Sequence, residues 1–138
     1  MAPARVSREA TIARILIIDD DDDLRLMMCR VLKNAGHDIM EAADGVDGMR
    51  KFRAENPTIV ITDIVMPHRD GLEMIREIRY AGSQLGIIAI SGGGVRDGEL
   101  YLTISEEFGA DAIVQKPFRA AELVSVVERV MERASATG

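Results

Sequence analysis

Ile59, Val60 and Ile61 are consecutive β-branched residues in a short apolar run that follows Thr58 and stops at a single carboxylate, Asp63. The run has no in-and-out alternation, so it fits a strand covered on both faces, as in the middle of a parallel sheet. In open parallel sheets ligands bind just beyond the carboxyl ends of the strands. Asp63 therefore stands where an acid can meet solvent and a substrate without being buried unpaired. The run then breaks at Pro67.

A chain of 138 residues fits one domain, large enough to bury about two thirds of the surface that its unfolded form exposes. The net charge is −6 and the basic residues are scattered. There is no basic stripe for a nucleic-acid duplex and no polybasic membrane patch. Cys29 is the single cysteine, which excludes an intramolecular disulfide and a multi-cysteine zinc site; its apolar helical neighbours make it a packing residue. The first dozen residues lack an apolar core long enough for a signal peptide, and runs such as Ile15 to Ile18 are far too short to span a bilayer. A cytoplasmic protein is the expectation.

In chain order, residues 1–13 form a loose arm whose end runs into the first strand. Ile15 to Ile18 is that strand, and five aspartates follow it, Asp19 to Asp23. The periodicity of Leu24, Met27, Met28, Val31, Leu32 and Ala35 predicts a helix. One of the later aspartates caps it, and the others lie in its first turn, where the helix dipole favours negative charge. Asp19 and Asp20 are left at the strand end. Gly36 ends the helix, and His37 to Ala42 reads as a second strand. Asp44 or Gly45 opens a second helix with Val46, Met49 and Phe52 inward, closed by Asn56 and Pro57.

After the central strand, Pro67 to Gly71 is a turn, and Leu72, Ile75 and Ile78 mark a third helix that Gly82 stops. Ile87 to Ile90 is another continuous apolar strand, ending at Ser91 and then Gly92, Gly93 and Gly94. A fourth helix follows over about Asp97 to Phe108, with Leu100, Ile104 and Phe108 one turn apart. Ala112 to Val114 is the fifth strand, ending at Gln115, Lys116, Pro117 and Phe118. A last helix carries Leu123, Val126, Val127, Val130 and Met131 on one stripe. The ordered domain is expected over residues 14–133, with a short tail over 134–138. His37 and His68 both read as solvated loop residues.

Five strands alternating with five helices imply an α/β fold, a parallel sheet doubly wound by right-handed crossovers. Four of the five strands then finish on residues able to do chemistry: Asp19 with Asp20, Asp63, Ser91 and Lys116. Carboxylates gathered at one end of a sheet repel. A pair about 4 Å apart costs on the order of 4 kcal/mol at an effective dielectric of ~20, against a domain stability of roughly 5–15 kcal/mol. A divalent cation relieves this. All-oxygen ligands, with neither histidine nor thiolate at a strand end, point to Mg2+. A metal, an ammonium and a hydroxyl around a carboxylate form a phosphoryl site in which an aspartate can be the covalent acceptor. In that arrangement Asp63 attacks, Asp19 and Asp20 hold the ion, and Ser91 and Lys116 bind phosphoryl oxygens.

The segments ILIIDDDDDLR, VITDIVMPHRDGLE, IAISGGG and VQKPF resemble the successive motifs of response-regulator receiver domains, over residues 14–131. The resemblance implies a flavodoxin-like sheet of strand order 2-1-3-4-5 and phosphotransfer to Asp63 from a histidine kinase or histidine phosphotransferase. It implies Mg2+ bound through Asp20, Asp63 and the Val65 carbonyl, with Asp19 assisting through water. It also implies a cis bond between Lys116 and Pro117, an isomer accessible essentially before proline alone. Output is implied through the fourth helix, fifth strand and last helix, around Leu100 to Phe108 and Arg119 to Arg129, onto a downstream protein. The chain stops just past the last helix, so no output domain is expected, and the resemblance fits a monomer or weak homodimer.

Two positions depart from that family's pattern. Receivers often carry a Tyr or Phe three residues before the lysine, and Ile113 stands there. Gly92 to Gly94 give the loop after Ser91 unusual backbone freedom, so it is expected to order when Ser91 engages phosphate. Val65 and Gly93 offer no polar group to guide a hydrolytic water, which implies a long-lived aspartyl phosphate. Three roles are open: a relay intermediate or phosphate sink, a switch that binds another protein, and a phosphorylation-independent pseudo-receiver, against which the complete site argues. A haloacid-dehalogenase-type phosphatase also uses a strand-end aspartate but needs a second one two residues later, where Val65 stands.

Overall fold

The structure, a computed structural model, describes residues 12–64, 71–81, 84–92, 104 and 107–137. Five strands, β1 (Arg14–Ile18), β2 (Asp38–Ala42), β3 (Ile59–Asp63), β4 (Gly86–Ser91) and β5 (Ala112–Gln115), pair in parallel in the order β2-β1-β3-β4-β5. Four helices lie among the described residues: α1 (Asp22–Asn34), α2 (Gly45–Glu55), α3 (Gly71–Ala81) and α4 (Ala120–Thr137). The helix expected over about Asp97 to Phe108, with Leu100, falls largely outside the described residues; Ile104 within it is buried. The last helix, α4, runs to Thr137, past the residue at which the tail was expected to begin.

Side-chain alternation along the inner strands splits the core into two layers. Ile15, Ile17, Ile59, Ile61, Ile88 and Ile90 face Met28, Cys29 and Leu32 of α1 and Leu123, Val127 and Val130 of α4. Leu16, Ile18, Val60, Ile87 and Ala89 face Met49 of α2 and Met74, Ile75 and Ile78 of α3. All five residues of β3 and all six of β4 are buried. Each buried Ile or Leu contributes about 1.5–3 kcal/mol relative to exposure, so the apolar runs that predict strands also hold the sheet between its helices.

The aspartate run divides as expected. Asp21 is the N-cap of α1 and accepts from the backbone N–H groups of Asp23 (3.1 Å) and Leu24 (3.2 Å), while Asp22 and Asp23 occupy the first turn. Asp44 caps α2 by accepting from the Asp47 N–H at 2.8 Å, and Asn56 closes that helix in the left-handed conformation. Far from the strand ends that carry the acids, Arg79 donates to the carbonyls of Gly109 (3.0 Å) and Leu85 (2.8 Å) and to the Asp111 carboxylate (2.6 Å). It thereby ties α3 to the segments that lead into β4 and β5.

Two expectations are corrected. Val46 points outward, 64% exposed, because the inner stripe of α2 starts on Gly45 and Gly48. A Cβ at Gly48 would lie 2.7 Å from the Ile18 side chain, so the missing side chain lets the helix approach the sheet closely. His37 is half-buried and not solvated: its Nδ1 accepts from the Ala13 N–H at 3.1 Å, and burial lowers its pKa. The Ala13 carbonyl accepts from the Asp38 N–H at 2.9 Å, so the end of the arm is bonded into the sheet.

Candidate functional site

Parallel register brings the strand ends to one level. Ile18 lies beside Thr62 and Asp63 beside Ile90, while Ser91 pairs with Gln115. Asp19 directly follows β1, Asp63 and Ser91 close β3 and β4, and Lys116 directly follows β5. Asp19, Asp20 and Asp63 each offer a carboxylate oxygen within 4.8 Å of the others.

The three acids differ in environment. Asp19 is fully buried; its Oδ1 accepts from the Asp21 N–H at 2.9 Å, and its Oδ2, also buried, has no hydrogen-bond partner among the described residues. Burial, chiefly, raises its pKa from 3.8 to about 6, with the Asp63 and Asp20 charges adding to the shift and the Asp21 N–H and Lys116 opposing it. A buried, unpartnered acceptor costs about 1–3 kcal/mol or more when charged, so an oxygen in that state suits a cation ligand. Asp20 is exposed. Asp63 is 6% exposed, and its Oδ2 lies 3.2 Å from the Lys116 ammonium.

Ser91 is buried at the end of β4, and its hydroxyl donates to the Gly92 carbonyl at 3.2 Å. The Ser91 carbonyl accepts from the Lys116 N–H at 2.8 Å, which carries the ladder one residue past β5. The Lys116–Pro117 bond is cis, in line with the resemblance. Ile113 is half-buried and packs on the α2 and α3 side of the sheet. Val65, His68, Gly93, Gly94 and Leu100 lie outside the described residues.

Two participants escape sequence reasoning. Arg25, in the second turn of α1, donates to the Asp19 carbonyl at 2.7 Å, to Glu41 at 2.9 Å and to Asp22 at 2.7 Å. Only the five aspartates ahead of it hint that a cation is needed there. Gly71 opens α3 against the end of β3: its N–H donates to the Ile64 carbonyl at 3.0 Å, and a Cβ would lie 2.3 Å from that oxygen and 2.4 Å from the Asp63 carbonyl. Both obstacles are backbone, so Gly71→Ala is expected to destabilise the fold by at least about 2 kcal/mol, read as a lower denaturation midpoint in urea.

The donor set fits Mg2+: oxygens alone, three carboxylates close together, and one of them with a buried oxygen that has no partner among the described residues. The model of the response regulator receiver domain matches residues 15–128. The chain belongs to the response-regulator receiver family. This receiver is 33% identical over 122 residues to the response regulator MprA of Mycobacterium sp. (strain KMS), covering 88% of this chain and 52% of that protein. It is 27% identical over 120 residues to the alkaline phosphatase synthesis transcriptional regulatory protein PhoP of Bacillus subtilis (strain 168), covering 87% of this chain and 49% of PhoP. The chain thus spans about half the length of these curated relatives. In fold, the receiver is similar to a CheY-like receiver domain protein from Methanospirillum hungatei JF-1, with a TM-score of 0.84 and 24% identity, covering 92% of this chain and 99% of that one. No helix among the described residues is long and apolar enough to cross a membrane.

Proposed function

We propose that the receiver is a phosphoacceptor of a two-component or phosphorelay system, taking a phosphoryl group onto Asp63 from a phosphohistidine of a histidine kinase or histidine phosphotransferase. The observation that carries this reading is the Lys116 ammonium 3.2 Å from Asp63 within the three-carboxylate cluster. A strand-end carboxylate with a cation on one oxygen and a set of hard oxygen ligands beside it matches what phosphoryl transfer asks of a protein, which is mainly positioning and charge neutralisation.

In the transfer an Asp63 oxygen forms the new bond to phosphorus as the phosphorus–nitrogen bond breaks, and the imidazole keeps the electron pair. Lys116 neutralises charge that develops on the phosphoryl oxygens, and Ser91 offers them a hydroxyl once it leaves the Gly92 carbonyl. Asp19, Asp20 and Asp63, with the Val65 carbonyl, would hold Mg2+, which when bound offsets the repulsion among the acids and screens the incoming phosphoryl group. The product is a signal and not a released metabolite, so the protein acts as a switch or relay and catalyses only its own phosphotransfer and dephosphorylation. It works in the cytoplasm as a domain over residues 14–133, monomeric or weakly dimeric, and meets a downstream protein through the surface of β5 and α4 with the segment before them.

The test is incubation with acetyl phosphate or phosphoramidate, followed by intact mass. One added phosphoryl group is expected with Mg2+ and none with EDTA. No uptake from either donor in Mg2+ would overturn the reading.

A further inference from the structure

We propose that Arg25 is the positioning residue of the cation site, fixing the peptide that joins Asp19 to Asp20 so that both carboxylates face the same ion. This rests on the function proposed above and assigns a role to a residue outside the acidic cluster. The turn after β1 is held at three points. The Asp19 N–H donates to the Ala42 carbonyl at 3.1 Å, Asp19 Oδ1 accepts from the Asp21 N–H at 2.9 Å, and the Asp19 carbonyl accepts from Arg25 at 2.7 Å. The second bond closes a turn across the Asp19–Asp20 peptide and restrains it, and the third is the one made to the carbonyl of that peptide itself, setting its orientation.

Arg25 is itself locked, since its remaining nitrogens reach Glu41 on β2 (2.9 Å) and Asp22 in the first turn of α1 (2.7 Å). The guanidinium side chain is 12% exposed. One planar fork therefore ties β1, β2 and α1 together at the residue that carries the buried acid. Lysine has no such fork.

Charge and geometry make opposite demands here, which gives the test its sign. A guanidinium near a cation site repels the cation, so removing that charge alone should tighten Mg2+ binding. Loss of positioning should weaken it, and outer contacts of metal ligands typically govern about 10–100-fold in affinity. Mg2+ is titrated calorimetrically into wild type, Arg25→Met and Arg25→Lys, each also melted without metal. Arg25→Met is expected to bind Mg2+ at least about 10-fold more weakly, with Arg25→Lys in between because the donor it keeps for the Asp19 carbonyl outweighs the charge it also keeps.

A clamp that serves only the fold would lower the metal-free melting temperature and leave Mg2+ affinity unchanged or tighter, and that result overturns the inference. Should Arg25→Met not fold, Arg25→Lys decides alone, and wild-type affinity in it overturns the inference. A wild-type protein that takes up no Mg2+ removes the proposed function itself, whereas tight wild-type binding with unaltered variants removes only the role of Arg25.

Discussion

Asp63→Asn is expected to gain no phosphoryl group under conditions in which wild type gains one. The amide matches the carboxylate in shape, and its oxygen can still accept from Lys116, which lies 3.2 Å from the native Asp63 Oδ2. The end of β3 is thus kept while the nucleophile proposed for the transfer is lost. Removing the nucleophile of a coupled site slows reaction by a factor on the order of 10⁴ or more, below detection by intact mass over any practical incubation. Circular dichroism should report an unchanged fold. Mass gain in the variant would place the acceptor on another group, and peptide mapping would find it.

Asp19→Asn should stabilise the metal-free protein. The Asp19 carboxyl is fully buried, and its pKa is raised from 3.8 to about 6. A raised folded-state value means that this group's contribution is fully present below the unfolded pKa and is lost as pH rises through the folded one. At pH 7 the buried charge thus costs on the order of 2–3 kcal/mol. The amide carries no charge and can still accept from the Asp21 N–H. At about 3–5 °C per kcal/mol for a domain of this size, the variant should melt roughly 6–15 °C higher at pH 7 in EDTA. The advantage should shrink as pH falls from about 6 towards 4. Mg2+ should raise the melting temperature of wild type more than that of the variant, since ligand stabilisation follows affinity. A variant no more stable than wild type in EDTA at pH 7 would show that the buried charge is compensated in the metal-free protein.

The sheet and the acids at its edge were legible because both follow from short-range rules. Continuous apolar runs such as Ile59 to Ile61 mark strands buried on two faces, and the chemistry of a parallel sheet gathers at the ends of such runs. The five aspartates were divisible for the same reason: capping places Asp21 to Asp23 on α1 and leaves Asp19 and Asp20 at the strand end. What stayed hidden depends on tertiary packing. Val46 has an apolar side chain at the opening of α2, and only the close approach of Gly48 to Ile18 turns the inner face of the helix past it. His37 reads as a loop residue until the Ala13 N–H is seen to reach it. Arg25 looks like any surface arginine of an amphipathic helix, because its three acceptors come from β1, β2 and its own first turn.

Asp63 terminates a strand whose five residues are all buried, in the middle position of the sheet. That strand is hydrogen-bonded to a neighbour on each side. On the proposed function, a phosphoryl dianion added at its tip would have the packed sheet beneath it, so room for the new group would have to be found beyond the strand end. On that reading, the added group would be presented at the rim of the sheet, above a strand that buried neighbours hold on both faces.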